Sequence, residues 1–562
     1  MTKETIIQVL KKETGLKNPE LERPKDILHG DFAFPCFALA KTQKKSPVII
    51  AKELAAALVD IAGVEKVEAL GPYLNFYLER GSFTEEVLSA IRKQGSAYGR
   101  GEDRKKTYML EFFHANTHKG VHIGHIRNIS LGEALSRIYT HAGFRVIRVN
   151  YQGDIGPHVT KCLWGYLHLE KYKGKEPADH RGVWLGRIYA EANGIISANK
   201  ELENEVREMT KRLYDGDPEL VSVWKKTRQW CLDDFAKMYE DFHVHYDRLY
   251  FESEVEQAGK RIVQDMLKKG IAKMSDGATI MDLEDDHLGV YVLLRNDGVA
   301  LYHTKDLALA ELKSKEFQVD KSFHIVGKEQ ELYFKQLFRT FELIGSPMAG
   351  KSFHVIYALV MLPEGKMSSR EGNVVWYDEL IEKLLALADE EIRKRHQDWK
   401  EDKVKKTATF IAYGALKFAM VNRDNSKAMV FDWDKAMDFE GETGPYVQYA
   451  YARIQSIFRK HGAKVPEQAK VHLLTTDLER RIINHLSVFP DAVTRAARTK
   501  KPILVARYLL DLAQLWNEYY HASPILKAED DLRDARLSLI EAIGTVIEVG
   551  MDLLAIDLPP QM

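Results

Sequence analysis

One stretch of the chain decides the fold: Glu111-Phe112-Phe113-His114-Ala115-Asn116-Thr117-His118-Lys119-Gly120-Val121-His122-Ile123-Gly124-His125. Residues Tyr108 to Phe113 suit a buried strand, and residues from about His122 to His141 suit a helix. Gly143 is expected to end this helix, and residues 144–149 then alternate as a second strand. A strand, a helix and a strand in this order predict a parallel βαβ unit, and so an α/β domain.

The passage from strand to helix carries an unusual set of polar residues, four histidines and Lys119. A helix N-terminus presents free backbone N–H groups and the positive end of the helix dipole, so it favours an anion. Gly124 places no Cβ between His122 and His125, which lets a base or a phosphate approach the backbone. We therefore predict a site for anionic oxygen; the alternative is a pair of histidines that only cap the helix.

A second polar segment contains Lys366, which lies 241 residues after His125. It reads Pro363-Glu364-Gly365-Lys366-Met367-Ser368-Ser369-Arg370-Glu371-Gly372-Asn373. Two cations on a short loop with serines and glycines suit a mobile segment that grips a polyphosphate. It is not a P-loop, because position 360 is Val and no Ser or Thr directly follows Lys366. The alternative is a solvated loop with incidental charge.

The composition excludes several classes of protein. The chain has 562 residues, 45% of them hydrophobic, with 81 Lys and Arg against 82 Asp and Glu, so a stapled scaffold, a fibre or a disordered tail is excluded. Its cysteines, Cys36, Cys162 and Cys231, form no C-x-x-C pair, so we expect no zinc cluster and a reducing compartment. Without a membrane-length apolar run or a signal-peptide core, a soluble cytoplasmic protein is expected.

The N-terminal part of the chain is expected to form a small mixed domain from Met1 to about Glu79. Val67–Leu70 and Leu74–Leu78 are predicted strands joined by a turn at Gly71-Pro72. Residues 95–106 are polar and rich in glycine, which indicates a domain boundary.

The rest of the chain divides by pattern into three parts. Further strands of the α/β domain are predicted at Ser322–Val326 and Phe353–Met361. Residues 161–272 are charged and rich in helical patterns, which suggests an insertion between two halves of the sheet. From about Gly444 onward, apolar residues recur at i, i+3, i+4 and i+7, which predicts a helical bundle.

The order and spacing of the two polar segments resemble the HIGH and KMSKS signatures of class I aminoacyl-tRNA synthetases. Other segments narrow the resemblance to the arginyl-tRNA synthetases over essentially the whole length. These segments are Gly30-Asp31-Phe32-Ala33, Lys66-Val67-Glu68, Gly71-Pro72, Leu301-Tyr302-His303-Thr304-Lys305-Asp306, Gly327-Lys328-Glu329-Gln330-Glu331-Leu332, the run from Glu440 to Arg453, and the final Pro560-Gln561-Met562.

The resemblance implies a multidomain α/β protein with a Rossmann-type class I synthetase catalytic domain. It implies an α+β N-terminal tRNA-binding domain with its linker over residues 1–105 and the catalytic domain over 106–435, with the helical insertion at about 161–272. An all-α anticodon-binding bundle would occupy 436–562. One alternative is a synthetase for another amino acid, which is disfavoured because buried acids would reject an uncharged side chain. The other is a noncatalytic RNA-binding paralogue, which is disfavoured because binding alone does not need the intact histidines.

The reaction implied by the resemblance joins L-arginine to ATP-Mg²⁺, releases pyrophosphate, and passes arginine to the terminal adenosine of tRNA(Arg). Such chemistry needs positioning and charge stabilisation rather than a protein nucleophile or a resident metal. Lys119 would replace the second lysine of the signature, where this chain has Ser369. The implied catalytic residues are His122, His125, Lys366 and Lys119. The implied ATP contacts are His122, Gly124, His125, Lys366, Met367 and Ser368.

Arginine recognition follows partly from chemistry, because a planar guanidinium pairs best with carboxylates. Tyr302 and Asp306 are four residues apart at the start of a predicted helix, so they would share one face, although an ordinary first helical turn is the alternative. The resemblance assigns both to the guanidinium, together with Glu111. It assigns the α-groups of the amino acid to Asn116, Gln330 and His122.

The charge balance by itself argues against a nucleic-acid partner, since such domains usually carry a basic excess. The resemblance changes this expectation, because a multidomain enzyme can collect its cations on one tRNA-facing surface. We therefore expect a polarised surface and a salt-sensitive affinity for tRNA. We also expect a monomer.

Overall fold

The computed structural model describes residues 2–24, 29–295, 302–361 and 375–562, apart from the side chains of Thr2 and Tyr302. The chain forms two compact units. Unit 1 comprises Met1–Tyr98, Arg453–Pro490 and Asp511–Val549, and unit 2 comprises Gly99–Ala452, Asp491–Leu510 and Gly550–Met562.

The strands of the described residues are β1 (Phe32–Pro35), β2 (Val64–Leu70), β3 (Tyr73–Leu78), β4 (Thr107–Glu111), β5 (Arg145–Gln152), β6 (Arg248–Phe251), β7 (Lys273–Ser275), β8 (Ala278–Leu283), β9 (Gly289–Leu294), β10 (Lys321–Gly327), β11 (Ser352–Tyr357), β12 (Val360–Met361) and β13 (Met429–Val430). The α-helices are α1 (Thr2–Thr14), α2 (Phe37–Gln43), α3 (Pro47–Ala57), α4 (Arg80–Gln94), α5 (Ile123–His141), α6 (Pro157–His168), α7 (Arg181–Ser197), α8 (Lys200–Tyr214), α9 (Pro218–Asp241), α10 (Glu252–Lys268), α11 (Tyr302–Glu316), α12 (Glu331–Leu343), α13 (Tyr377–Arg395), α14 (Glu401–Val421), α15 (Trp433–Ala436), α16 (Gly444–His461), α17 (Asp477–Ser487), α18 (Phe489–Thr499), α19 (Ile503–Ala522) and α20 (Asp530–Leu553).

Unit 2 contains a five-stranded parallel sheet in the order β11-β10-β4-β5-β6. The central strand β4 buries Met109 and Leu110 completely, as expected for a parallel sheet covered on both faces. Glu111 ends β4 and lies opposite Val149 of β5 and His324 of β10. The carboxyl ends of the parallel strands therefore meet at one edge, where ligands bind in open α/β sheets.

The predicted βαβ unit is confirmed in β4, α5 and β5. Helix α5 buries Ile123, Ile126 and Ile129 completely, so packing against the sheet fixes its position. Gly143 follows the helix with φ +89°, a conformation that side chains disfavour, and the chain then enters β5.

The helical insertion is real, but its predicted end at 272 is wrong. Helices α6 to α9 follow β5, and α6 and α8 pack around a core that includes Val159, Leu163 and Leu213. The chain then returns to the sheet as β6, which pairs with β5 in parallel, so residues 248–251 belong to the catalytic sheet. A four-residue strand between charged helices gives too short an apolar signal to be recognised.

A small antiparallel sheet of β7, β8 and β9 precedes α11 and was not predicted. Its Met281 and Leu293 share a core with Leu307 and Leu309 of α11 and with Phe334 of α12. This packing holds α11 over the face of the sheet that carries Glu111.

Unit 1 combines the N-terminal residues with parts of the C-terminal helices. The predicted hairpin is confirmed, because β2 and β3 pair antiparallel through a turn at Gly71 with φ +60°. Asp31 is buried, accepts from the Leu78 backbone N–H at 2.8 Å, and lies 3.4 Å from the Arg480 guanidinium of α17. The C-terminal part is helical, as predicted.

Within the described ranges, every helix is too short or too polar to cross a lipid bilayer.

Candidate active site

His122 caps the N-terminus of helix α5, His125 lies in its first turn, and both rings accept hydrogen bonds from backbone N–H groups there. His122 Nδ1 accepts from the Gly124 N–H at 3.1 Å, and the His122 N–H donates to His125 Nδ1 at 3.2 Å. With Nδ1 an acceptor in both rings, a neutral imidazole carries its proton on Nε2. Capping therefore uses Nδ1 and leaves Nε2 as the donor for a ligand. The interpretation of these histidines as helix caps is thus compatible with their interpretation as an anion site.

Both imidazoles are neutral at physiological pH. Burial first, and then the charge of Lys119, lowers the pKa of His122 to about 4. Burial, with His122 and Lys119 nearby, holds the pKa of His125 well below its usual range. The histidines are hydrogen-bond donors, and the positive charge beside them comes from Lys119, whose ammonium lies 5.3 Å from the Tyr189 ring.

The segment before α5 is tied to the beginning of α13. Val121 accepts from the Tyr377 backbone N–H at 2.9 Å, and His122 pairs with Trp376 in an isolated antiparallel bridge. The indole packs directly on Gly120, where a Cβ would lie 1.9 Å from Trp376 Cζ3. The chain beyond the second polar segment is therefore anchored beside the first.

The chain before that segment is anchored to α5 as well. Arg127, completely buried, donates to the Ala358 carbonyl at 2.7 Å and to the Lys427 carbonyl at 3.1 Å. Residues 360–361 form β12, which pairs with β13 in parallel. The predicted ATP contacts Lys366, Met367 and Ser368 lie outside the described residues, but both flanks of their segment reach α5.

The other histidines of the opening stretch do not share the geometry of His122 and His125. His118 is completely buried, with ring nitrogens 3.0 Å from Thr117 Oγ1 and 2.8 Å from Thr227 Oγ1. It connects the loop to α9 and has no nitrogen left for a ligand. His114 stands in the left-handed region at φ +54°, its backbone N–H donating to Asn150 Oδ1 at 3.1 Å.

Asp306 lies near the start of α11, where the sequence predicted a helix, and is partly buried. Its Oδ2 accepts from the Tyr333 hydroxyl, while its Oδ1 is shielded from solvent and has no partner among the described atoms. Burial raises the pKa of Asp306 to about 7, against the lowering effect of the Tyr333 hydrogen bond. An oxygen in this state is ready to accept from a buried cation. The side chain of Tyr302, its predicted companion, lies outside the described atoms.

Glu111 is occupied by partners within the chain. Its Oε2 accepts from the ammonium of Lys313, and its Oε1 accepts from His324 Nδ1 at 2.9 Å. All three residues are buried, with 3%, 2% and 6% of their surfaces exposed. The structure thus pairs both Glu111 oxygens internally, which the interpretation of this residue as a guanidinium ligand did not foresee.

The predicted ligands of the amino-acid α-groups lie at the same edge of the sheet. Asn116 follows β4, and its Oδ1 accepts from the Gly153 N–H just after β5 at 3.1 Å. Gln330 ends a short 3₁₀-helix directly after β10 and is exposed. Both therefore lie beyond the carboxyl ends of neighbouring strands.

The sequence analysis missed three residues that contribute to the site, namely Arg127, Lys313 and His324. A signal existed for Lys313, which lies seven residues after Asp306 and so two turns along the same helical face. His324 could have been found only through the strand register that sets it beside Glu111. Arg127 follows His125 by two residues, but its carbonyl partners are more than 200 residues away in sequence.

Comparison with known proteins places these features in a family. A family model for the class I (R) tRNA synthetase catalytic domain matches residues 86–433, and one for the arginyl-tRNA synthetase N-terminal domain matches residues 1–78. A model for the DALR anticodon binding domain matches residues 447–562. The chain belongs to the arginyl-tRNA synthetase family.

Two relatives illustrate how fully the chain matches arginyl-tRNA synthetases. It is 36% identical to an arginine–tRNA ligase of Bdellovibrio bacteriovorus, over 98% of this chain and 94% of the relative. It is 33% identical to that of Halothermothrix orenii, over 100% and 99% of the two chains.

A solved arginyl-tRNA synthetase, from Thermus thermophilus, has the same architecture. It superposes with a TM-score of 0.84 at 29% identity, over 100% of this chain and 99% of the other. The predicted fold class and family are confirmed.

Proposed function

We propose that this protein is an arginine–tRNA ligase. It activates L-arginine with ATP to arginyl adenylate and pyrophosphate, and transfers arginine to the 3′ adenosine of tRNA(Arg). The observation that carries this proposal is Asp306 Oδ1, which is shielded from solvent and has no partner among the described residues, in the fold of a family that joins arginine to tRNA. A carboxylate that lacks a buried cation partner selects a cationic side chain.

The ATP side of the site is electrostatic. Nε2–H groups of His122 and His125 donate to oxygens of the α-phosphate, and the missing Cβ of Gly124 lets the nucleotide approach the backbone. Lys119 supplies the charge that this chain lacks at Ser369. Neutral donors at a helix N-terminus stabilise charge that develops on phosphate without reorganising.

The second polar segment completes this side. Lys366, with Met367 and Ser368, holds the leaving pyrophosphate. Mg²⁺ enters as the ATP complex, and the donors at α5 are N–H groups that suit phosphate oxygens rather than the metal itself.

The amino-acid side aligns arginine for attack on the α-phosphate. Asp306 and Tyr302, together with Glu111, hold the guanidinium. Asn116 and Gln330, with His122, hold the α-ammonium and the α-carboxylate. The carboxylate oxygen attacks phosphorus, pyrophosphate leaves, and positioning supplies most of the rate.

The flanking domains hold the tRNA. Residues 1–78 and 447–562, which match the N-terminal and anticodon binding models, supply these contacts. We also propose that the domain boundaries lie at residues 105 and 435, as predicted from the sequence. One chain carries every group named here, so we propose a monomer that acts in the cytoplasm.

The test is amino-acid-dependent ATP–pyrophosphate exchange, measured with and without tRNA(Arg). We expect exchange with arginine, and only when the tRNA is present. The matched controls are lysine and citrulline, a shorter cation and a neutral isostere. A folded protein without exchange in any condition would contradict the proposal, as would exchange that favours another amino acid.

A further inference from the structure

Helix α7 of the helical insertion packs directly on the loop that precedes α5. A Cβ at Gly186 would lie 2.6 Å from the backbone nitrogen of Gly120 and 2.8 Å from its Cα, so the two backbones are in contact. The beginning of α7 is fixed by α9, because the backbone N–H groups of Gly182 and Val183 donate to Asp234 Oδ2 at 2.8 Å and 3.1 Å. The insertion is therefore attached to the segment that carries Lys119.

The same face of α7 presents an aromatic ring to Lys119. Tyr189 follows Gly186 by three residues, so the two lie on one side of the helix, one turn apart. The Lys119 ammonium lies over the Tyr189 ring, 5.3 Å from its centroid. The face of an aromatic ring is negative and attracts a cation within about 6 Å of the centroid. The insertion thus supplies a partner for this ammonium.

The position of the Lys119 ammonium matters because its charge reaches the imidazoles around the start of α5. Burial first, and then the charge of Lys119, lowers the pKa of His122 to about 4. The same two causes, in the same order, hold the pKa of His158 well below its usual range. A lysine stem is long and flexible, so a contact that restrains the ammonium also fixes where this charge lies.

We propose that Tyr189 is a positioning residue, whose ring holds the Lys119 ammonium beside the N-terminus of α5, where the charge meets the phosphates of ATP. This inference rests on the proposed function. A carboxylate in the place of Tyr189 would neutralise the ammonium and repel phosphate, whereas a ring attracts the cation and leaves its charge available. The insertion thereby contributes to the chemistry of the site through α7.

The ring can be removed or kept by substitution. The measurement is single-turnover formation of arginyl adenylate with tRNA(Arg) bound, at saturating arginine and ATP. We expect Tyr189→Leu to slow this step about tenfold and to change the KM for arginine less than about threefold. Tyr189→Phe keeps the ring and should retain the wild-type rate within about twofold. An unaffected rate in Tyr189→Leu, or equal slowing in Tyr189→Phe, would overturn the proposal.

A double-mutant cycle tests whether Tyr189 acts through Lys119. Lys119→Met should slow adenylate formation by more than Tyr189→Leu does, because it removes the charge itself. When Tyr189→Leu is added to Lys119→Met, we expect no further slowing, since the ring has no ammonium left to hold. Effects that multiply in the double variant would overturn the proposal, as would a normal rate in Lys119→Met.

Fluorinated phenylalanines at position 189 provide a test that does not depend on the folding of the leucine variant. Each added fluorine weakens the negative face of the ring and leaves its shape almost unchanged. We expect the logarithm of the rate of adenylate formation to fall with each fluorine, whereas a ring that only fills space would give a constant rate. A constant rate across the series would overturn the proposal.

A matched control is Tyr172→Leu. Tyr172 is another tyrosine of the insertion, and its ring lies 5.0 Å from the ammonium of Lys171, a solvent-exposed lysine. We expect adenylate formation in this variant to stay within about twofold of the wild type; equal slowing in Tyr172→Leu and Tyr189→Leu would overturn the proposal. A wild type without arginine-dependent exchange would refute the proposed function, whereas an active wild type with a slow Lys119→Met and a normal Tyr189→Leu would refute only the role of Tyr189.

Discussion

At the scale of single residues, the site depends on which groups are charged. The two histidines at α5 are neutral because burial lowers their pKa values, so Lys119 carries the charge there. On the amino-acid side, burial raises the pKa of Asp306 to about 7. In the proposed function, phosphate therefore meets neutral donors, and arginine meets an acid that titrates near physiological pH.

This raised pKa predicts how arginine binding depends on pH. Below about pH 7 the free Asp306 is protonated, and a guanidinium must displace that proton to pair with the carboxylate. We expect the KM for arginine to rise as the pH falls from 8 to 6, approaching tenfold per unit below pH 7. The measurement is tRNA-dependent exchange across this range at saturating tRNA.

The KM for ATP provides the control for pH. His122, with its pKa lowered to about 4, does not titrate between pH 6 and 8, so the KM for ATP should change less than the KM for arginine. A KM for arginine that is flat over the same range would contradict the assignment of Asp306.

At the scale of elements, helix α5 connects the first polar segment with the described residues that flank the second. The bridge from His122 to Trp376 and the bonds from Arg127 to the Ala358 carbonyl connect it to both flanks of the second segment. Gly120 permits the contact with Trp376 because the indole occupies the space where a side chain at position 120 would lie. The described residues on both sides of the second segment are thus tied to the start of α5.

A substitution at this glycine tests the coupling. Gly120→Ala places a Cβ 1.9 Å from Trp376 Cζ3, and we expect a loss of about 1–3 kcal/mol in stability. Single-turnover adenylate formation should slow at least tenfold, while the KM for arginine changes less than threefold. The control is Gly194→Ala in α7, where a Cβ meets nothing within 4 Å. Equal rates in the two variants would contradict the coupling.

Local patterns predicted much of the fold but not its long-range pairings. The βαβ unit, the hairpin at Gly71 and the start of α11 follow from periodicity and turn chemistry, and the structure contains them. The strand β6 has only four residues, which is too short for a clear apolar pattern. The antiparallel sheet before α11 did carry a signal, because Asp276-Gly277 between β7 and β8 is a typical hairpin turn, with φ +46° and +77°, but it was overlooked. In the site, too, local patterns predicted neighbouring residues but not long-range contacts. His122 and His125 are neighbours by helical spacing, whereas the Lys313 partner of Glu111 depends on how α11 packs over the sheet.

At the scale of the whole molecule, the balance of 81 cations against 82 acids conceals how the charges are used. Acids serve the pocket and internal ion pairs, so a nearly neutral chain can still bind a polyanion on one surface. We expect the KM for tRNA in aminoacylation to rise at least tenfold between about 50 and 200 mM salt, since phosphate contacts release counterions.

The KM for arginine, measured at saturating tRNA, should change less than threefold over the same range of salt. The proposed guanidinium partner Asp306 is partly buried, with Oδ1 shielded from solvent, and buried pairs are screened much less than exposed ones. Equal salt dependence of the two constants would contradict a polarised tRNA surface.

The central claim is that Asp306 selects arginine. Its most direct measurement compares arginine with citrulline in tRNA-dependent exchange, for the wild type and for Asp306→Asn. Loss of the charge-assisted bond costs about 3 kcal/mol, so we expect kcat/KM for arginine to fall at least 100-fold and the preference over citrulline to narrow. A folded Asp306→Asn variant with unchanged kcat/KM for arginine would contradict the claim.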